Sequence, residues 1–303
     1  MIFLFFYLYY FYFIILYYIL TYMYVKLNSN YGTITHYYHF FYGVLVPLIL
    51  YHLKTKETDF IVTDDLGPML KILYEIPLNI LFKCENPEKF TKIIPLDNFR
   101  SKYFFKKESN KMCYQDKIKI CDFFKLHLPE YIKCNKSYDI VLIERGTDSK
   151  YKLLNYSKHH PLLQKLGTKS GSERRSIKNH KEICLELEKS YGNKFKNISL
   201  ENSSIYYQYH IFSNAKLIIA QHGAALANVI FMKDFTNVLE IVPIEKLELE
   251  GEDSFKNLSI MSKLNYYSIE TKETNPIINI RTLKIIIDKL LYMTEYKLKN
   301  INK

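Results

Sequence analysis

The sequence lacks the side-chain patterns that mark a metal centre or a disulfide scaffold. Its five cysteines include no Cys-x-x-Cys pair, and no histidine stands at zinc-binding spacing from them, so we expect no metal site. Because the count is odd, a complete disulfide framework is not expected, although one or two bridges stay open. We favour free thiols. Tryptophan is absent while Lys, Ile, Asn, Tyr and Phe are abundant, which indicates AT-rich coding rather than a function.

The patterns of nucleic-acid-binding modules are also missing. The net charge of +11, from 42 Lys and Arg against 31 Asp and Glu, favours an anionic partner. A polyanion, an acidic membrane face and the diphosphate of a nucleotide sugar all fit that charge. The lysines are scattered rather than arranged in a stripe, and no zinc-finger, ribonucleoprotein or basic-zipper pattern occurs. We therefore expect no nucleic-acid partner.

Charged residues are absent from residues 1–25, which consist mainly of Phe, Tyr, Ile and Leu. As an α-helix this stretch would extend about 37 Å, which is enough to cross a bilayer. No basic segment precedes it and no A-x-A cleavage site follows, so a cleaved signal peptide is not expected. We predict a single-pass membrane anchor, in the endoplasmic reticulum or Golgi if the source is eukaryotic. A mis-assigned start and a buried β-rich extension are the alternatives.

The rest of the chain alternates short apolar runs with helical stretches, which is typical of an α/β fold. Its length and 48% hydrophobic residues suffice for two cores. We predict two Rossmann-like lobes, over residues 26–130 and 131–275, and a closing segment over 276–303. Within that segment, Thr282 to Leu298 is amphipathic and predicts a helix.

Two polar stretches interrupt the alternation. Residues 100–117 are polar and basic and predict an interlobe or surface loop. Residues 146–173 form a long polar insertion that would either contact an acceptor or form a disordered excursion. Its adjacent His159 and His160 predict no metal site, because neighbouring side chains on extended backbone diverge.

The most informative stretch is His-Gly-Ala-Ala-Leu-Ala-Asn at residues 222–228. An apolar strand, Leu217 to Ala220, leads into it, and a second strand closed by Pro243 follows an apolar, roughly helical segment. The small residues would let a large ligand approach the backbone, and the N–H groups at the start of a helix suit a diphosphate. A tight strand–turn–helix connection with a buried histidine explains the same shape without a ligand.

This motif resembles the signature of glycosyltransferase family 61, a His-Gly-Ala-Gly-Leu-x-Asn turn, an apolar segment and a Glu-Ile or Glu-Leu strand. Other family elements follow the family's order between about residues 36 and 268. They are the Tyr-His-aromatic element at 38–41, the strand ending in Arg145, the Arg-x-Ile-x-Asn element at 175–179, and the segment 257–267 that ends in Tyr.

Two positions depart from the family pattern. Ala225 replaces the second glycine of the turn, which a negative φ tolerates and a positive φ does not. Gly43 stands where many relatives have an acidic residue. These departures and the long insertion leave a membrane-anchored, carbohydrate-binding pseudoenzyme as the alternative to an active transferase, with a bare scaffold protein third.

The resemblance implies a GT-B fold, in which two Rossmann-like lobes face each other across a cleft and a terminal helix commonly crosses back to the first lobe. It implies inverting transfer of GlcNAc or a pentose from a UDP-sugar to a hydroxyl of a protein or glycan, without a cofactor. No Asp-x-Asp motif is placed to hold a diphosphate through a metal, so arginines and backbone N–H groups would stabilise the leaving group.

Candidate site residues follow from the same motifs. His39 is the candidate general base, because an imidazole is partly unprotonated at neutral pH; a core histidine packed among aromatic neighbours is the alternative. The candidate donor-binding residues are Arg145, Arg175, His222, Gly223, Ala224, Ala225, Leu226, Asn228 and Glu240.

Overall fold

The computed structural model describes residues 23–26, 37–62, 66–82, 93–95, 110–146, 172, 175–244 and 254–301. The chain forms two compact units, residues 1–106 and 107–303. Each unit has its own parallel β-sheet, which confirms the predicted α/β class. The facing-cleft arrangement of the GT-B fold stays a prediction.

The first unit is built on a four-stranded parallel sheet in the spatial order β3-β2-β1-β4. The apolar runs at 59–63, 80–82 and 93–94 predict three of its strands, and the structure confirms them. The strands are β1 (Met23–Lys26), β2 (Asp59–Val62), β3 (Asn79–Phe82) and β4 (Ile93–Pro95).

Strand β1 lies inside this sheet, with Tyr24 paired to Ile61 of β2 on one side and to Ile93 of β4 on the other. The predicted anchor helix is therefore wrong at residues 23–25, which are β-strand; residues 1–22 lie outside the described residues. Aromatic and β-branched residues suit an inner strand as well as a bilayer, so their apolarity did not separate the two. In the parts of the chain that the structure describes, no helix has the length and apolarity of a membrane span.

A continuous helical run precedes β2, as the apolar stretch from 36 to 53 predicts. It consists of α1 (Tyr37–Phe40), a π-helical turn (Phe41–Leu45) and α2 (Val46–Thr55), and apart from Gly43 it is buried from Phe40 to Tyr51. Pro47 has no N–H to donate to the carbonyl of Gly43. Gly43 lies in the π-helical turn, so the change in hydrogen-bonding pattern coincides with the missing donor. A short helix, α3 (Leu70–Glu75), connects β2 to β3.

The second unit has a five-stranded parallel sheet in the spatial order β6-β5-β7-β8-β9. Counted within this unit, the order is 2-1-3-4-5, so the winding direction reverses between β5 and β7. The strands are β5 (Ile140–Glu144), β6 (Phe195–Ser199), β7 (Leu217–Gln221), β8 (Asn237–Pro243) and β9 (Asn265–Thr271). The helices are α4 (Asn110–Leu126), α5 (Glu130–Lys133), α6 (His180–Tyr191), α7 (Ile205–Asn214), α8 (Ser254–Met261) and α9 (Ile280–Ile301).

Helix α4 corrects the loop predicted for residues 100–117, since residues 110–117 are helical. Phe124 on this helix lies 5.6 Å from the ring of Tyr209 and 5.0 Å from the ring of Phe231, so α4 packs within the second unit. The prediction failed because its first turns are polar: the apolar face begins only at Ile120.

Helix α9 covers the predicted segment 282–298 and extends it at both ends. Its Ile287 is fully buried, in one cluster with Ile219 and Leu239 of the sheet. The buried Asn237 on β8 ties the helix down by donating to the carbonyl of Leu290 at 3.0 Å. The apolar face of α9 therefore packs on the second unit's own sheet, and the crossing to the first lobe stays a prediction.

Two isoleucines of α9 test this packing. Ile287 is 0% exposed and Ile285 is 62% exposed on the same helix. Ile287→Ala should lower the free energy of unfolding by about 2–5 kcal/mol through lost burial and a residual cavity. Ile285→Ala should change it by less than about 0.5 kcal/mol. Urea unfolding followed by circular dichroism measures both, and equal effects of the two variants would contradict the packing.

Candidate active site at the carboxyl end of the second sheet

The carboxyl ends of parallel strands meet at one edge, and open α/β sheets bind ligands where the winding reverses. In the second unit this point lies between β5 and β7. Arg145 directly follows β5, and His222 directly follows β7. The topology therefore brings together two candidate residues that are 77 positions apart in the chain.

Arg145 is fixed against the His222–Gly223 turn. Its Nη1 donates a hydrogen bond of 2.7 Å to the carbonyl oxygen of His222. A Cβ at position 223 would lie 2.1 Å from that same Nη1, far inside van der Waals contact. Gly223 has an extended backbone (φ 165°, ψ 175°) that any residue can adopt. At position 223 the guanidinium takes the space that a Cβ would fill, and the close approach of a ligand to this backbone stays a prediction.

His222 is held by a buried carboxylate. Its Nδ1 lies 2.6 Å from Oε1 of Glu240, which is only 2% exposed. Tyr266 donates to the other carboxylate oxygen at 2.7 Å, and Phe255 packs edge-on against the imidazole. An ionised Glu240 accepts the hydrogen bond, so Nδ1 carries the proton and Nε2 is the acceptor nitrogen in the neutral ring.

Glu240 is held inside the second unit by hydrogen bonds from two side chains. Both of its carboxylate oxygens have protein partners, His222 and Tyr266, and the side chain lies inside the sheet. These hydrogen bonds orient His222, while donor binding by Glu240 stays a prediction. Tyr266, which the sequence did not single out, belongs to the same network.

The apolar segment after Gly223 is a 3-10 helix, Ala224–Phe231. Ala225 is not among the described residues with positive φ, so the methyl group that replaces the family's second glycine is accommodated. Leu226 and Asn228 are 0% exposed. Asn228 donates to Gln208 of α7 at 2.9 Å and to the Ala225 carbonyl at 3.2 Å. These two candidates therefore hold the turn in place, whereas Ala224 and Ala225 are half-buried.

Arg175 begins a segment that is bonded to the loop after β9. The Ser176 N–H donates to Asn275 at 2.7 Å. The amide of Asn179 donates to the Ile278 carbonyl at 2.8 Å and accepts from its N–H at 2.9 Å. The Asn of the Arg-x-Ile-x-Asn element is thus a structural clamp. It fixes the backbone that carries Arg175.

Gln221 extends this clamp to the end of β7. Its Nε2 donates to the Thr274 carbonyl at 2.8 Å. Neither Gln221 nor Asn275 was predicted, because an isolated amide carries no periodic or motif signal. The indication available in the sequence was the position of Gln221, directly before His222.

His39 belongs to the first unit. It is half-buried on α1, and its ring packs edge-on against Tyr38 at 5.7 Å between ring centres. The π-helical turn that contains Gly43 follows it directly. Such turns occur frequently at functional sites.

Cys121 and Cys184 are unsuited to nucleophilic chemistry. Burial raises the pKa of the Cys121 and Cys184 thiols to about 11, so both are protonated at neutral pH. Among the residues that the structure describes, no group of three or more His, Cys, Asp or Glu side chains could hold a metal ion. His159 and His160, with most of the 146–173 insertion, lie outside the described residues.

Comparison with known proteins decides the family. The model of the family described as Glycosyltransferase 61 matches residues 37–239, which is most of the chain. The chain belongs to glycosyltransferase family 61. The matched region includes His39, Arg145, Arg175 and the whole turn from His222 to Asn228. A search of curated proteins returned no match to this chain.

Gly223→Ala tests the packing of Arg145 in this family 61 site. The new Cβ would displace the end of a flexible side chain, so the protein should fold while the guanidinium leaves His222. If that guanidinium binds a nucleoside diphosphate, affinity for UDP should fall about 10- to 100-fold, as expected for one charge-assisted hydrogen bond. Isothermal titration calorimetry measures it.

Gly192→Ala is the matched control. Gly192 has a positive φ of 52° and nothing within 4 Å of a new Cβ, so alanine there should cost about 1 kcal/mol of stability. UDP affinity should be unchanged in this variant. Unchanged UDP affinity in Gly223→Ala would show that the position of Arg145 is irrelevant to binding.

Proposed function

We propose that this family 61 glycosyltransferase moves a sugar from a UDP-sugar to a hydroxyl group of a protein or glycan acceptor. We further propose that the anomeric configuration is inverted and that no metal ion is used. GlcNAc and a pentose such as xylose are the proposed donor sugars. The observation that carries the proposal is Arg145, held on Gly223 at the point where the second sheet reverses its winding.

The chemistry requires stabilisation of the departing diphosphate. Negative charge grows on its oxygens as the bond to the anomeric carbon breaks, and donors fixed in advance stabilise that charge most effectively. The Arg145 guanidinium has five N–H donors in a rigid plane, and its bond to the His222 carbonyl fixes that plane. The first N–H groups of the 3-10 helix, at Ala224 and Ala225, supply further donors in the same turn.

His222 is assigned to the donor sugar. With Nδ1 bonded to Glu240, the neutral ring has an acceptor at Nε2, which suits a sugar hydroxyl better than a phosphate oxygen. Because the imidazole is held by a buried carboxylate and packed against Phe255, its position is fixed before the donor arrives. Arg175, on its clamped segment, is proposed as the second diphosphate ligand.

The acceptor step needs a base. In a single displacement the acceptor oxygen bonds to the anomeric carbon while the diphosphate leaves, and the hydroxyl proton passes to a base. His39 of the first unit is proposed for this role. Each displacement of this kind inverts the anomeric carbon.

Substitution of Arg145 tests the donor assignment. Arg145→Ala should weaken UDP binding about 10- to 100-fold, and Arg145→Lys should restore only part of it because an ammonium lacks the planar fork. Lys196→Ala removes one exposed positive charge from β6 and should leave binding unchanged. Calorimetry in excess EDTA measures the affinity of all three variants for UDP.

The same samples test the remaining parts of the proposal. Turnover of UDP-GlcNAc or UDP-xylose should persist in EDTA, and nuclear magnetic resonance of the product should show an inverted anomeric carbon. Strict dependence on a divalent ion would remove the metal-free part. A wild-type protein that binds glycans but neither UDP nor a UDP-sugar would replace the transferase with the carbohydrate-binding alternative.

A second prediction separates binding from proton transfer. His39→Gln should leave the affinity for UDP within about twofold and lower kcat about 10²- to 10⁴-fold, the usual contribution of a positioned base. His52→Gln, a substitution of another histidine of the same helical run, should leave kcat unchanged. Equal turnover in the His39 variant and the wild type would assign His39 to packing alone.

A further inference from the structure

We infer that Glu201 binds the ribose hydroxyls of the donor nucleotide, so that the site selects ribonucleotides over deoxyribonucleotides. This inference rests on the proposed nucleoside diphosphate donor. It starts from a second glycine at the same edge of the sheet. Gly146 directly follows Arg145, and a Cβ at position 146 would lie 1.6 Å from Cδ and 1.7 Å from Oε1 of Glu201.

Gly146 and Gly223 thus have similar surroundings. Each is covered by a charged side chain that a methyl group would displace: Glu201 on Gly146 and Arg145 on Gly223. Gly146 is not among the described glycines with positive φ, so backbone strain does not explain the glycine. The close approach of the Glu201 carboxylate explains the glycine instead.

The backbone around Glu201 is fixed. It lies in the turn between β6 and α7, where the Glu201 N–H donates to Ser199 Oγ at 3.4 Å and Asn202 adopts the left-handed conformation (φ 60°). The Ser203 N–H closes the turn on the Leu200 carbonyl at 3.2 Å. These contacts fix the backbone that carries the Glu201 side chain.

The order of groups along the edge matches a nucleotide sugar. Glu201 follows β6, Arg145 follows β5 and His222 follows β7, and these three strands are neighbours in that order. The Glu201 carboxylate lies on Gly146 after β5 and the Arg145 guanidinium lies on Gly223 after β7, so these two charged groups lie at neighbouring strand ends, roughly 5 Å apart by strand spacing. A ribose at Glu201, a diphosphate at Arg145 and a sugar at His222 would therefore lie in their covalent sequence.

The chemistry of a carboxylate supports this order. Its two oxygens accept hydrogen bonds from two adjacent hydroxyl groups, as in dinucleotide-binding sheets, where an acidic residue holds the ribose. A carboxylate repels phosphate, so it belongs beside the arginine that binds the diphosphate and not in its place.

The test compares UDP with 2′-deoxy-UDP by calorimetry. Wild-type protein should bind UDP about tenfold or more tightly than 2′-deoxy-UDP, because the deoxy compound leaves the carboxylate one donor short. Glu201→Gln keeps the shape of the side chain and should reduce that preference to about twofold. Gly146→Ala keeps the carboxylate but displaces it, and should reduce the preference in the same way.

A control and the adverse outcomes complete the design. Glu188→Gln removes an exposed carboxylate on α6 and should retain the wild-type preference. If wild type binds UDP but Glu201→Gln and Gly146→Ala keep the full preference, the ribose assignment is overturned and the donor proposal stands. If Glu201→Gln abolishes turnover with the preference intact, the carboxylate serves the acceptor instead. If wild type binds neither nucleotide, the proposed donor itself fails.

Discussion

The contact between the Arg145 guanidinium and Gly223 is the constraint on which the candidate site depends. It joins the ends of β5 and β7, the two strands between which the winding of the second sheet reverses. A guanidinium stays charged at any physiological pH, so this edge of the sheet carries a fixed positive charge. The absence of a Cβ at 223 and the carbonyl of His222 together decide where that charge lies. The turn therefore sets the position of the arginine.

Two other groups of hydrogen bonds hold this contact in place. Glu240 and Tyr266 hold the imidazole of His222 from β8 and β9, so the carbonyl that accepts from Arg145 belongs to a residue fixed at both its side chain and its backbone. Behind the turn, Asn228 bonds to Gln208 and secures the 3-10 helix against α7. Buried polar groups of this kind are costly when a partner is lost, which makes the arrangement nearly all-or-none. Such rigidity is what stabilisation of a leaving group by preorganised donors requires.

The sequence predicted the parts of the fold that have strong local signals. Ser204 directly precedes an apolar helical run and caps α7 by accepting from the Tyr207 N–H at 3.0 Å. The strands of the second unit follow from runs of Ile, Val and Leu. The end of the predicted anchor and the loop at 110–117 failed for one shared reason. An apolar run suits both a strand and a membrane, and a polar turn suits both a loop and the start of a helix, so only tertiary pairing separates them.

The sequence likewise predicted only part of the candidate site. Family motifs identified Arg145, His222 and Gly223, but they gave no direction to the side chains. The same motif letters include Asn228, which bonds to Gln208 and to the Ala225 carbonyl, and Asn179, which bonds to the backbone of Ile278. A motif records every position that the geometry constrains, whatever the constraint is. Ala225 shows the converse: its negative φ tolerates the methyl group that departs from the family pattern, whereas a methyl at 223 would meet Arg145. The two glycine positions of the family motif are therefore unequal, and what makes them unequal is an arginine distant in sequence.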